Sequence, residues 1–181
     1  NPCTVYAGSY VDAANSDIVI ITSGVARKAG QSRLDLAQTN VNVIKSVATE
    51  IVKYAPDATY LIVSNPVDVL TYVFQKTTGL PKERVIGSGT ILDTARLRAR
   101  VSEYYSVNQK NVHAYVLGEH GDSAFVPWSI ANISNVPVED YRNAILNAEN
   151  CPEFKRDEVE EYVRKSGARV IQRKGATFYA V

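Results

Sequence analysis

Three short runs of mostly β-branched residues, each followed by a helical pattern, restrict this chain more than any other feature. The first, Asp17-Ile-Val-Ile-Ile-Thr22, enters Ser23-Gly24 and reads as a strand buried on both faces, the kind found in parallel sheets. A polar stretch, Val25 to Gln31, follows it, and Ser32 can cap a helix. Within that helix Leu34, Ala37, Val41, Ile44, Ala48 and Ile51 recur at steps of three and four, giving one apolar stripe that Pro56 ends. Thr59-Tyr-Leu-Ile-Val-Ser64 is the second strand, and Pro66 suits the first position of the next helix, which Gly79 and Pro81 stop. Arg84-Val-Ile-Gly87 is the third strand, with a helix from about Thr90 to Tyr105 after it. Strands and helices in alternation imply right-handed crossovers and a parallel sheet with helices on its faces.

Past Asn111 the pattern changes. Val112 to Leu117 and Ser123 to Ile133 are short strand candidates with polar alternation, closer to an antiparallel arrangement. Glu139 to Glu149 reads as helical, and a charged helix is expected from Pro152 to about Lys174. The fold class is therefore α/β: part of a parallel, Rossmann-type sheet, then part of an α+β domain. The boundary falls near Ser88 to Thr90, giving domains 1–88 and 89–181. There are no internal repeats and no low-complexity tract.

The charge balance excludes several classes. With 20 basic and 19 acidic residues, scattered rather than clustered, the chain has no field to draw it to nucleic acid. No apolar run approaches the roughly 20 residues of a membrane span, so no membrane partner is expected. The first residues, Asn1 to Tyr6, lack a basic start and apolar core, so they do not read as a signal peptide. Cys3 and Cys151 are too few and too far apart for a disulfide framework or a cysteine zinc cage; two free thiols in a reducing cytoplasm are expected, and no metal.

Residues able to do chemistry gather at particular points. Open parallel sheets bind ligands beyond the carboxyl ends of their strands. Thr22-Ser-Gly24, Val63-Ser-Asn65 and Gly87-Ser-Gly89 lie there, and their small side chains let a flat group approach the backbone. Glycine after a strand is also simply a turn. Asp93 and Arg96, three apart on one predicted helix, share a face, which an ordinary surface ion pair would also explain. His120 sits in Gly118-Glu-His-Gly-Asp122, and a lone loop histidine can be incidental. Arg27, Lys28 and Arg33 stand in or beside the loop after the first strand, either solvated or part of a mobile lid.

Taken together, "VIITSGVARKAGQSRLDLAQTNV", "VSNPVDVLTY", "GLPKERVIGSGTILDTARLR" and "VHAYVLGEHGDSAFVPWS" resemble the lactate and malate dehydrogenases, in the same order and at similar spacing, from about Tyr6 to Val181. The resemblance implies an NAD-dependent oxidoreductase acting on a small 2-oxo or 2-hydroxy acid. It also implies a cytoplasmic, glycolytic dimer or tetramer. By likeness to the "GEHGD" motif, His120 is the proton donor and acceptor, with a pKa suited to that task. By likeness to "DTAR", Asp93 holds the ring and Arg96 grips the substrate carboxylate. Arg33 polarises the carbonyl, Asn65 hydrogen-bonds the substrate oxygen beside a cis Asn-Pro peptide, and Thr177 lines the pocket. Cofactor contacts carried over by position are Tyr10, Gly24, Val25, Ser46, Val63, Ser64, Asn65 and Ser88. Arg98 and His113 match a basic pair that binds fructose 1,6-bisphosphate in bacterial lactate dehydrogenases.

The sequence departs from the family in two respects. Arg27 stands where lactate dehydrogenases usually carry glutamine and malate dehydrogenases arginine, which could pair with a second substrate carboxylate. The longer stretches "EHGDSAFVPWS" and "KGATFYAV" resemble bacterial L-lactate dehydrogenases, so lactate/pyruvate is the expected pair and malate the alternative. The family's opening strand, GxGxxG turn and ribose-binding acidic residue have no counterpart here. The chain thus reads as truncated at both ends, and an inactive fragment is the further alternative.

Overall fold

The computed structural model describes residues 2–25, 33–144 and 153–175. It divides into two compact units, Asn1–Ser88 and Gly89–Val181.

The first unit holds β1 (Ile18–Ile21), α1 (Arg33–Tyr54), β2 (Thr59–Ile62), α2 (Val67–Thr78) and β3 (Val85–Gly87). The strands form a parallel sheet in the order β1-β2-β3, with Ile18 opposite Thr59 and Tyr60 opposite Val85. Strand side chains alternate between faces. Ile21, Tyr60, Ile62 and Val85 turn to one side and join Ile44, Ala48 and Ile51 of α1 and Leu70 and Phe74 of α2 in one core. Fully burying an aliphatic or aromatic side chain contributes about 1.5–3 kcal/mol. Tyr60 is buried with them, its hydroxyl donating to Ala55 O at 2.7 Å, and burial pushes its phenol above the ordinary 10.0. Gly87 is small because α2 lies close: a Cβ there would stand 2.7 Å from the Thr71 hydroxyl. Gly79, at φ 67°, ends α2 in the left-handed conformation that glycine adopts freely.

The expectation that the first strand is buried on both faces does not hold among the described residues. Ile18 and Ile20 are 63% and 57% exposed. No described element covers the face they share with Ile86, which is also exposed.

The second unit holds α3 (Ile91–Tyr105), β4 (Val112–His113), β5 (Asn132–Ile133), β6 (Val136–Pro137), α4 (Val138–Ala144) and α5 (Arg156–Lys174). The three short strands are antiparallel, and Ser134 and Asn135, both at positive φ, make the tight turn between β5 and β6. Leu97, Val101 and Tyr105 of α3 pack with Val112, Ala114, Val116, Ile133 and Val138, and with Val159 and Val163 of α5. Tyr104, Tyr105, Tyr141, Phe154 and Trp128 form an aromatic cluster against this core.

Three predicted elements differ. The strand expected over Val112–Leu117 is regular only at Val112–His113, and that over Ser123–Ile133 only at Asn132–Ile133. Between them, Leu117 and Phe125 form a single bridge, and Pro127 has no amide to continue a ladder. The long helix starts at Arg156 rather than Pro152, and the tail of the predicted Glu139–Glu149 helix lies outside the described residues.

Candidate active site

Parallel strands deliver all their carboxyl ends to one edge. Gly24 and Val25 follow β1, Val63, Ser64 and Asn65 follow β2, and Ser88 follows β3, so the sheet gathers these six predicted residues. Val63 N–H donates to Ile21 O at 3.0 Å and Ser88 N–H to Ile62 O at 2.8 Å, prolonging the ladder past the strands. The Ser64 hydroxyl donates to Ser23 O at 2.6 Å. The Asn65–Pro66 peptide is cis, as the resemblance implies.

A residue the sequence reading passed over joins these ends. Asn40 of α1 is 2% exposed. Its Oδ1 accepts from Val25 N–H at 2.8 Å, and its Nδ2 donates to Asn65 O at 2.8 Å and to Val25 O at 3.3 Å. One carboxamide thus holds both Val25, past the end of β1, and Asn65, whose peptide to Pro66 is cis. Losing one partner of a buried hydrogen bond costs about 1–3 kcal/mol. Asn40→Ala is therefore expected to lower the urea midpoint by that order with an unchanged slope; a midpoint equal to the parent's would refute this role.

The second unit carries the other group of residues. Asp93, in the first turn of α3, is 7% exposed. Its carboxylate lies 2.5 Å from His120 Nδ1 and 3.5 Å from the Arg96 guanidinium. Asp93 and Arg96 are not a solvated surface pair: both side chains are largely covered. A helix amino terminus favours a carboxylate in its first turn. With the carboxylate accepting from Nδ1–H, Asp93 fixes the ring's tautomer and orientation, and Nε2 is its other nitrogen. The loop that bears the ring is closed at its neck, where Leu117 and Phe125 exchange N–H···O bonds of 2.9 and 3.0 Å. Ser123 also donates to the Glu119 carboxylate at 2.7 Å. Gly118 has φ 90°, a conformation reserved in practice for glycine.

The remaining predicted residues are scattered. Tyr10 is exposed in a single 3₁₀ turn that leads toward β1. Ser46 is exposed on α1, about 9 Å along the axis from Asn40 at 1.5 Å per residue. Arg98 Nε donates to Ala114 O at 3.0 Å and its guanidinium lies 4.9 Å from the Tyr115 ring centre, while His113 is exposed on β4. Arg27, Thr177 and the side chain of Arg33 lie outside the described residues.

The model of the "lactate/malate dehydrogenase, NAD binding domain" matches residues 1–87, and that of the "lactate/malate dehydrogenase, alpha/beta C-terminal domain" matches residues 90–181. This chain belongs to the lactate/malate dehydrogenase family. Among relatives in that family, an L-lactate dehydrogenase of Clostridium botulinum (strain Loch Maree / Type A3) is 50% identical over 180 residues, which are 99% of this chain and 56% of the relative. The crystal structure of a lactate dehydrogenase from a Medee basin deep-sea metagenome library superposes with a TM-score of 0.82 at 43% identity, covering 95% of this chain and 54% of that one. A malate dehydrogenase from Picrophilus torridus superposes equally well, with a TM-score of 0.82 at 35% identity, covering 94% of this chain and 51% of that one. The chain spans about half the length of the lactate/malate dehydrogenases it matches.

Proposed function

We propose that the protein containing this chain is an NAD-dependent L-lactate dehydrogenase. The observation that carries the reading is the buried Asp93 carboxylate, 2.5 Å from His120 Nδ1 and within reach of Arg96. In this reading Arg96 presents its planar fork to the carboxylate of a 2-oxo acid, a match lysine cannot make. Arg33 polarises the ketone and stabilises the charge developing on its oxygen. By motif likeness alone, Asn65 binds the substrate oxygen; its Oδ1 accepts from Val67 N–H at 3.3 Å, which leaves Nδ2 as the donor. His120, held as the imidazolium by Asp93, passes its Nε2 proton to the ketone oxygen. The reverse reaction returns the hydroxyl proton to Nε2. Thr177 completes the pocket by motif likeness.

The edge formed by Gly24, Val25, Val63, Ser64, Asn65 and Ser88 fits a flat nucleotide. Gly24, Ser64 and Ser88 are small, and a Cβ on Gly24 would touch the Asn40 carboxamide at 3.4 Å. Ser23 Oγ on the same edge is buried without a partner among the described residues. With Tyr10 and Ser46 carried over by position, these residues would hold NAD(H), which supplies or takes the hydride.

Malate dehydrogenase is the second reading, favoured by Arg27 and by the malate dehydrogenase that superposes as well as its lactate counterpart. NADH oxidation by the full protein, with pyruvate and with oxaloacetate beside a His120→Asn control, tests both. Pyruvate turnover that the control loses supports lactate dehydrogenase; turnover with oxaloacetate alone supports malate; none with either sinks both. If Arg27 selects the second carboxylate, Arg27→Gln is expected to cut oxaloacetate turnover tenfold or more and to spare pyruvate, since a charge-assisted pair is worth about 1.5–3 kcal/mol. The finer readings extend from the same likeness: a cytoplasmic, glycolytic homodimer or homotetramer with fructose 1,6-bisphosphate at Arg98 and His113. Activity that ignores the sugar bisphosphate removes that last assignment. No described helix is long and apolar enough to cross a membrane.

A further inference from the structure

We propose that Thr90 and Thr94 are positioning residues that clamp the His120 loop onto α3 and so set the Asp93–His120 contact. The inference rests on His120 being the proton-transfer group. Val116 lies four residues before His120, in a stretch that belongs to no regular strand. Both of its backbone polar groups are taken by side chains at the start of α3, the N-cap Thr90 and Thr94. The Thr90 hydroxyl donates to Val116 O at 2.6 Å, and the Thr94 hydroxyl accepts from Val116 N–H at 2.9 Å. One further turn along, Arg98 Nε donates to Ala114 O at 3.0 Å. Positions 90, 94 and 98 follow at steps of four, so the α3 N-cap and two α3 side chains bond this stretch where a neighbouring strand would. Ala114 and Val116 are buried, where backbone polar groups require partners.

The use of these hydroxyls is not the ordinary one. Thr49, Thr71 and Thr78 each donate back to the carbonyl four residues earlier in their own helix. Thr94 lends its lone pair to Val116, and Thr90, the N-cap of α3, makes no side-chain cap bond and gives its proton to Val116. Thr94 directly follows Asp93, so the contacts close a small ring: Asp93 to Thr94, across to Val116, along to His120, and back across 2.5 Å to Asp93. Both ends of the His–Asp bond are thus fixed within a few residues of the clamp. Hydrogen bonds weaken steeply with distance and angle, so a small slip of α3 against this stretch would break the one between Asp93 and His120.

Nuclear magnetic resonance of the ¹⁵N-histidine-labelled chain tests this without requiring turnover. There are only two histidines, and His113 serves as the internal control. In the parent, His120 is expected to show a protected Nδ1–H with ring-nitrogen shifts of a single bonded form, and Asp93→Asn to remove that signature. Thr90→Val with Thr94→Val keeps the branched shape and deletes both hydroxyls. It is expected to speed Nδ1 proton exchange at least tenfold and move the His120 shifts toward those of free imidazole, with His113 unchanged. Thr90→Ser with Thr94→Ser is expected to restore the parent signature. A folded valine double variant with the parent's His120 exchange and shifts overturns the proposal. If that variant does not fold, the two single valine variants decide: each must accelerate exchange, and parent-like exchange in both overturns the clamp. Absence of turnover in a protein whose His120 signature depends on the threonines would refute the dehydrogenase reading and leave the clamp standing.

Discussion

Asp93→Asn is expected to lower kcat/KM for 2-oxo-acid reduction by about 10²–10⁴, the range over which a positioned acid–base group acts. The substitution keeps the shape of the side chain and removes its charge. An amide can still meet His120 Nδ1, but it no longer favours the imidazolium to which the dehydrogenase reading assigns proton delivery. It also leaves the Arg96 guanidinium, now 3.5 Å from the carboxylate, without that partner. Rates should therefore fall more than fold stability. Steady-state NADH oxidation by the full protein, with circular dichroism beside it, checks this. A loss of only a few fold would mean that the 2.5 Å contact is structural and that the proton comes from elsewhere.

The second large effect is on folding. Phe74→Ala should destabilise the first unit by about 3–5 kcal/mol, the usual cost of emptying an aromatic site in a core. Phe74 is wholly buried, and its ring centre lies 4.9 Å from that of Tyr60. It joins α2 to the central strand, so the space it leaves cannot be filled by moving one side chain. Domains have only about 5–15 kcal/mol of stability in all. Urea unfolding followed by circular dichroism should show an early loss of helical signal. A midpoint shift worth less than about 1 kcal/mol would show that the core repacks around the void.

Much of this was legible in the sequence because its signals are local. β-Branched runs ending at glycine and serine marked the three parallel strands, and the three-residue spacing of Asp93 and Arg96 put them on one face. Asn40 was missed although a signal existed. It lies three residues after Ala37 and four before Ile44, a polar residue inside the apolar stripe of α1, and such a position demands buried partners. Thr90 and Thr94 gave no local sign, because their partner lies 26 and 22 residues away, respectively, in an irregular stretch. The same stretch explains the strands expected too long at Val112–Leu117 and Ser123–Ile133. Alternating burial there reflects packing against α3, whose side chains supply hydrogen bonds that a neighbouring strand would otherwise give. The face of β1 that no described residue covers shows the limit of reading burial from composition, since an isoleucine run reports what a strand can cover, not what lies against it.

The aromatic cluster of the second unit has a spectroscopic consequence. Trp128 is the chain's one tryptophan. Its ring stands 5.3 Å from Phe154, and its indole N–H donates to Glu160 of α5 at 2.5 Å. Tryptophan emission therefore follows the second unit alone, while far-ultraviolet dichroism follows the helices of both. Comparing the two melting curves shows whether the units unfold as one cooperative body or in sequence, because coincident transitions by different probes are the mark of a single step. The chain carries its own reporter of how far the dinucleotide half and the histidine half depend on each other for their folding.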